Sequence, residues 1–181
     1  MTVQAFQVEV SHGQFILEGL DADLAEPQYT GGNGLVWASQ PPPDGTQGST
    51  AAVVMTGTFY GTVPVTAAVH DRAPEPGTGA WDEVVEVSVT VTGSTLYVYA
   101  PAGPEQAAEV TLPASPGQAR SYRLRVHARG RDHSEDPPGA SGMRSTEEYL
   151  VLIWPAPPAP ETCLKLTDNT GAHIRNGGEG P

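Results

Sequence analysis

The chain has 181 residues, of which 38% are hydrophobic, with 21 Gly, 18 Pro and a formal net charge of −12. So few apolar residues and so many turn formers favour many short strands over helices, and the length suits one domain with its own core. The single cysteine, Cys163, excludes an intrachain disulfide. No apolar run approaches the roughly 18 residues of a membrane helix, and residues 1–4 lack the features of a signal peptide. Together these observations predict a cytoplasmic protein.

Apolar and polar side chains alternate with a period of two in several segments of the first half, and this pattern predicts strands. The first segment, 3–10, places Phe6, Val8 and Val10 on one side, and residues 11–13 are predicted to form a turn, or a bulge if the strand continues. Further strands are predicted at 15–18, 35–38, 51–60, 62–70, 83–91 and 95–99. The segments 40–49 and 71–81 are rich in Pro and Gly and are predicted to be long loops.

The second half is dominated by two predicted strands joined by a charged loop. Residues 121–129 alternate an apolar row with a basic row, and the basic row is predicted to face water. Residues 148–154 are apolar on both sides, which predicts a strand in the middle of the sheet. Residues 155–160 are predicted to be a Pro-rich spacer, and the chain from Asn169 is predicted to be loosely ordered. We therefore divide the chain into a domain, 1–154, and a tail, 155–181.

These elements amount to about nine or ten strands, several of which have one polar face. They predict an all-β fold in which two antiparallel sheets pack face to face as a β-sandwich with long Pro/Gly loops. A barrel is the alternative arrangement.

The loop 127–136 concentrates two His, three carboxylates and two Arg, which are residue types found in metal and catalytic sites. Its spacing matches no strong metal motif, and its arginines would repel a cation. We therefore interpret the loop as a solvated hairpin whose charges pair among themselves. Cys163 has no recognisable partner for nucleophilic catalysis, so neither an enzymatic activity nor a cofactor is predicted.

Charge is unevenly distributed along the chain. Residues 1–119 contain thirteen Asp and Glu and one Arg, which gives 1 − 13 = −12, whereas residues 120–145 contain six Arg and three acids, which gives 6 − 3 = +3. An acidic surface of this kind repels nucleic acid and attracts a basic protein partner. An acidic surface also keeps a protein soluble without any partner. From charge alone, solubility is the favoured interpretation.

Several short motifs resemble, in the same order, those of the competence protein J family, whose members inhibit a bacterial nuclease of DNA uptake. The matching segments are 8–15, 34–37, 85–89, 111–113 with 122–124, and 149–151. The chain departs from the family by Pro/Gly insertions at 40–50, 71–81 and 130–145 and by its Pro-rich tail. The resemblance implies a β-sandwich that binds a nuclease and blocks it, and it carries over no functional residue.

Together, the resemblance and the acidic first part predict a non-enzymatic protein that inhibits or neutralises a nuclease, as an inhibitor or immunity protein does. We expect a basic protein partner, no cofactor, and no direct contact with nucleic acid or membrane. The carboxylates predicted to contact the partner are those of Asp21, Asp23, Glu26, Asp82, Glu83 and Glu86. The alternatives are a module that binds a glycan or a metal, with an exposed Trp81 or the loop 127–136 as its site, an enzyme that acts on a small molecule with the loop 127–136, and a structural component of a large assembly.

Overall fold

The computed structural model describes residues 1–19, 32–38, 51–101, 103, 107–113, 118–133 and 146–177. Within these residues the chain is mostly β, as predicted. The strands are β1 (Thr2–Ser11), β2 (Gln14–Glu18), β3 (Val36–Ala38), β4 (Ala52–Met55), β5 (Tyr60–Val69), β6 (Glu83–Thr92), β7 (Thr95–Tyr99), β8 (Ala108–Thr111), β9 (Ala119–Arg129), β10 (Glu148–Pro155) and β11 (Thr162–Leu166). A 3₁₀ turn spans Arg131–His133, and one short helix, α1, spans Asn169–Arg175. In this part of the chain no helix is both long enough and apolar enough to cross a membrane.

The strands form one curled, mixed sheet in the order β11-β6-β9-β10-β5-β1-β2-β4-β3, to which β7 is joined through β2 and β8 through β7. Strands β5 and β10 run parallel, with Tyr149 opposite Val65 and Ile153 opposite Val69. The prediction of purely antiparallel pairing was therefore wrong, and the hydrogen bonds define one sheet where two were predicted. A parallel pair joins strands that are distant in sequence, and neither strand carries a local pattern that reveals its partner.

The sheet bends at the hairpin between β1 and β2, because these strands pair only where Ser11 lies opposite Gln14. Strand β2 then pairs with β4 and β7, so that the inner faces of the two parts of the sheet meet over one core. Phe15 and Tyr149 join the two parts edge to face, with ring centroids 5.3 Å apart. The apolar rows predicted in β6 and β9 line this core, where each fully buried side chain contributes about 1.5–3 kcal/mol.

The outer face of β6 and β9 is covered by Pro-rich segments of the chain. Arg123 donates hydrogen bonds to the carbonyls of Ala159 and Pro160, at 2.9 and 2.8 Å. Arg125 donates in the same way to Pro74 and Glu75, at 3.1 and 2.8 Å. The two arginines are only 5% and 4% exposed, so the prediction that the basic row faces water was wrong. The carbonyls of these Pro-rich segments have no strand partner, and the guanidinium groups donate the hydrogen bonds that they need.

The C-terminal segment packs on the sheet, although the chain from Asn169 was expected to be loosely ordered. Strand β11 pairs with β6, and Asp168 caps α1 by accepting a hydrogen bond from the Gly171 N–H at 2.7 Å. Asp132 accepts two more backbone N–H groups of α1, those of Asn169 and Thr170. A helix of seven residues is unstable alone, so these tertiary contacts form it and the local sequence does not indicate it. The division of the chain at residue 154 stays a prediction.

Candidate functional site

The charged loop predicted at 127–136 contributes its central arginine to a buried ion network. The Arg131 side chain is fully buried and donates to both carboxylate oxygens of Asp168, at 2.7 and 2.8 Å. It also donates to the carbonyls of Gly34 and Met55, at 2.8 and 3.1 Å. These contacts join the 3₁₀ turn to the start of α1 and to the segments around β3 and β4.

Glu83 and Arg175 complete this group, which we call the Arg131 network (Glu83, Arg131, Asp168 and Arg175). The Glu83 carboxylate is 0% exposed, lies 4.0 Å from Arg131, and accepts hydrogen bonds from Arg175 at 3.0 and 3.1 Å. Burial raises the pKa of Glu83 to about 7, against the opposing effect of the Arg175 hydrogen bonds. Because a buried charge without a partner is costly, each member depends on the others. The network stabilises the fold and offers no open position to a ligand.

His127 and Arg129, in the same loop, also have structural partners. Burial lowers the pKa of His127, and its Nδ1–H donates to the Leu150 carbonyl at 3.1 Å. Arg129 pairs with Glu148 and lies over the Trp81 ring, 5.0 Å from its centroid, so this half-buried indole is not an open sugar platform. The interpretation as a hairpin whose charges pair among themselves was wrong for 127–133, because the partners lie in other elements. Residues 134–136 lie outside the described residues.

No three His, Cys, Asp or Glu side chains converge as metal ligands within the residues that the structure describes. Burial raises the pKa of the Cys163 thiol, which keeps it in the less nucleophilic protonated form.

Half of the predicted partner contacts can be placed. Asp82 is half-buried and accepts a hydrogen bond from the Gly130 N–H at 3.0 Å. Glu86, with 15% of its side chain exposed, pairs with Arg123 and Arg125. Glu83 has no exposed surface, so it cannot contact a partner in this conformation. Asp21, Asp23 and Glu26 lie outside the described residues, and their role, like that of Asp82 and Glu86, stays a prediction.

An exposed group of rings, which the sequence did not single out as a site, lies where two turns meet. We call it the aromatic surface (His12, Phe59 and Tyr60). His12, in the turn between β1 and β2, has a φ of 53°, a left-handed conformation that is uncommon for a residue other than Gly. Its Nδ1 lies 2.9 Å from the Ser11 hydroxyl and its Nε2 lies 2.8 Å from the Tyr60 hydroxyl. Both ring nitrogens are therefore held in place.

The rings contact one another edge to face. The centroid of His12 lies 5.5 Å from that of Phe59 and 5.1 Å from that of Tyr60, and the two phenyl rings are 4.7 Å apart. Tyr60 nevertheless remains 49% exposed. Such a large aromatic ring, both exposed and restrained, is typical of residues that dominate binding at protein interfaces.

The two turns that carry the aromatic surface are tied to each other and to the core. The Gly13 N–H donates to the Phe59 carbonyl at 3.0 Å, and the Gly13 carbonyl accepts from the Thr56 N–H at 2.8 Å. Behind them, the buried carboxylate of Glu147 accepts the backbone N–H groups of Gly57 and Thr58, at 3.0 and 2.6 Å. A surface held in this way loses little conformational entropy when it binds a partner.

The sequence contained only a weak signal for this surface. The sequence predicts only a turn at 11–13 and a strand that ends at Tyr60. Pairing between β1 and β5, which places Ser11 opposite Tyr60, brings the two segments together from 49 positions apart. The one local hint is a His that occupies a turn position where Gly or Asn is the usual residue.

The curled mixed β-sheet places this chain in a fold class that solved structures of other proteins share. One of these is ComJ, the inhibitor of the DNA degrading activity of NucA, from Bacillus subtilis; it aligns with a TM-score of 0.51 and 10% identity over 86% of this chain and 100% of its own. Another is described as crocagin biosynthetic gene J, with a TM-score of 0.52 and 13% identity over 87% of this chain and 100% of its own. The resemblance to the competence protein J family is thus confirmed as a likeness of fold. No protein-family model and no curated protein sequence matches the chain.

Proposed function

We propose that this protein binds a nuclease and inhibits it, without catalysing a reaction of its own. The observation that carries the proposal is the fold, which the chain shares with the whole length of an inhibitor of a DNA-degrading enzyme. At 10% identity the side chains on the shared sheet differ almost everywhere. We therefore expect a different nuclease as the partner, since the surface side chains decide which partner is bound.

The charge of the chain gives a physical reason for such a partner. An enzyme that acts on DNA needs basic side chains to bind phosphates, and a protein with a net charge of −12 is attracted to the same side chains. Attraction of this kind raises the association rate more than the final affinity, and salt screens it. Asp21, Asp23 and Glu26 are the carboxylates that we propose to provide it, together with Asp82 and Glu86.

We also propose that the protein acts in the reducing cytoplasm of a bacterium. Its one cysteine forms no bridge, which suits a compartment in which thiols stay reduced. An inhibitor kept there would protect the cell's own DNA until the nuclease leaves.

A degradation assay tests the proposal. The purified protein is added to plasmid DNA together with NucA or with each nuclease encoded in the neighbouring reading frames of the source genome. We expect one of these nucleases to be inhibited once the protein is equimolar with it. Degradation that continues unchanged in a molar excess of the protein, with every nuclease of the panel, would overturn the proposal.

The contribution of Asp21, Asp23 and Glu26 is tested with two variants of equal net charge. One carries Asp21→Asn, Asp23→Asn and Glu26→Gln; the control carries Asp71→Asn, Glu75→Gln and Glu109→Gln, which neutralise three exposed carboxylates elsewhere. We expect the first variant to associate more slowly at low salt than the control. Equal rates would show that only the total charge matters, and would exclude these three carboxylates as contacts.

A further inference from the structure

The aromatic surface and a neighbouring carboxylate form a site of a definite chemical class. We propose that Tyr60, His12 and Glu9 bind an arginine side chain on the surface of the partner protein. This inference rests on the proposed function for the identity of that partner, but its chemistry can be tested separately.

Tyr60 provides a ring on which a guanidinium group can stack. T-shaped contacts with His12 and Phe59 restrain the ring, while about half of the residue remains exposed to solvent. A guanidinium over a tyrosine face is attracted by the negative potential of the ring, and its planar shape also stacks well. An ammonium group gains only the first of these contributions, so we infer arginine in preference to lysine.

Glu9 provides the opposite charge at a suitable distance. In the antiparallel pair of β1 and β5, Ser11 lies opposite Tyr60 and Glu9 lies opposite Thr62. The side chains of Glu9 and Tyr60 therefore project from the same face as diagonal neighbours, with a separation of roughly 7–8 Å. A guanidinium stacked on the ring spans that gap and reaches the carboxylate with its N–H donors.

The Glu9 carboxylate is available for this contact. Glu9 is exposed, and among the residues that the structure describes it forms no ion pair. By contrast, Glu86 on β6 and Glu148 on β10 are each paired with arginines of this chain. A carboxylate without an internal cation, beside an exposed ring, complements a cation brought by a partner.

The backbone at His12 supports a binding role for the rings. A non-Gly residue with φ near 53° is strained, whereas Gly at this position would adopt the same conformation without strain. The imidazole is thus held at an energetic cost in a position where it fixes the Tyr60 hydroxyl at 2.8 Å. Strained residues of this kind cluster at functional sites.

The inference is tested by NMR titration with Nα-acetyl-arginine-methylamide, using the matched glutamine derivative as the neutral probe. We expect chemical-shift changes centred on Glu9, His12 and Tyr60 with the arginine probe alone, at a dissociation constant on the order of millimolar. The changes should disappear in Glu9→Gln and in Tyr60→Ala, and persist in Glu109→Gln, which neutralises an exposed carboxylate on β8. No change at these residues with either probe, or equal changes with both, would overturn the inference.

Because Tyr60→Ala removes ring contacts, Glu9→Gln is the variant that keeps the inference falsifiable should the former misfold. In the complex with an inhibited nuclease, Glu9→Gln and Tyr60→Ala should each weaken binding by about tenfold or more, as central interface residues do. Wild-type affinity in both variants would overturn this inference while leaving the proposed function intact. Arginine binding without inhibition of any nuclease would overturn the proposed function alone. A self-association that Tyr60→Ala abolishes, without arginine binding, would assign the surface to a second copy of this chain and also overturn the inference.

Discussion

The Arg131 network and the aromatic surface both contain titratable side chains at turns, yet they have opposite surroundings. In the network, Glu83, Arg131 and Asp168 are buried and every charge has a partner within the chain. In the aromatic surface, Tyr60 and His12 are exposed while the turns beneath them are held by the buried Glu147. A concentration of charged residues in the sequence therefore did not indicate the candidate binding site. The described part of the charged loop 127–136 stabilises the fold, whereas the turn at His12 carries the exposed aromatic surface.

Replacing the centre of the network should have the largest effect on stability. Arg131→Met leaves the Asp168 carboxylate buried without its cation and removes one of the two cations beside Glu83, and we expect the free energy of unfolding to fall by about 3–5 kcal/mol. Urea denaturation measures the change. Arg129→Met, which removes the exposed pair with Glu148 and the contact with the Trp81 ring, is the control and should cost no more than about 1 kcal/mol. Equal losses in the two variants would contradict the structural role of the network.

Replacing Glu147, which holds the turn beneath the aromatic surface, should have the next largest effect on stability. Glu147→Gln replaces an acceptor of the Gly57 and Thr58 N–H groups by an amide that also has donors, and we expect a loss of about 1–3 kcal/mol in unfolding free energy. The Tyr60 and His12 NMR signals should also broaden or shift, because the turn is loosened. Glu148→Gln changes the adjacent, exposed carboxylate and should leave both measurements nearly unchanged.

Glu83 predicts a pH dependence of stability. Its pKa is raised from 4.5 to about 7 in the folded state by burial, so between these values the folded protein binds more protons than the unfolded one. The free energy of unfolding should therefore fall as pH rises from about 4.5 to 7, with a slope from this group of no more than about 1.4 kcal/mol per pH unit. Chemical denaturation across this range measures the slope. Glu83→Gln should flatten it, and an unchanged slope would show that Glu83 stays ionised throughout.

The smallest effect on stability is expected at His12. His12→Gly relieves the left-handed backbone but removes the hydrogen bonds and ring contacts, and we expect the two effects to cancel to within about 1 kcal/mol. Binding of the arginine probe should nevertheless weaken, because Tyr60 loses the group that orients it. Thermal unfolding and NMR titration of the same sample separate these results. A loss of several kcal/mol would make His12 a structural residue and not part of a binding surface.

The comparison also shows which features the sequence can predict. The period of two in 83–91 and 121–129 correctly indicated strands and their core-facing rows, since alternation follows from strand geometry alone. Alternation does not predict whether the opposite row of side chains faces water or is covered by another segment. Arg123 and Arg125 are buried because segments 36 to 51 residues away supply carbonyls to them, and no local pattern indicates which segment covers which face.

Long-range pairing limited the prediction of the sheet and of the site. The parallel contact of β5 with β10 depends on register over more than eighty positions. The helix Asn169–Arg175 forms because Asp132, Arg131 and Asp168 meet there, not because its own residues favour a helix. His12 and Tyr60 likewise become neighbours only through the pairing of β1 with β5.

Isothermal titration calorimetry of the nuclease from the degradation panel into this protein, at low and at physiological salt, decides whether the two proteins form a complex. We expect a stoichiometric complex with the wild-type chain, weakened by added salt and by Glu9→Gln but unaffected by Glu109→Gln. Absence of binding heat with every nuclease tested, confirmed by sedimentation as separate species, would contradict it.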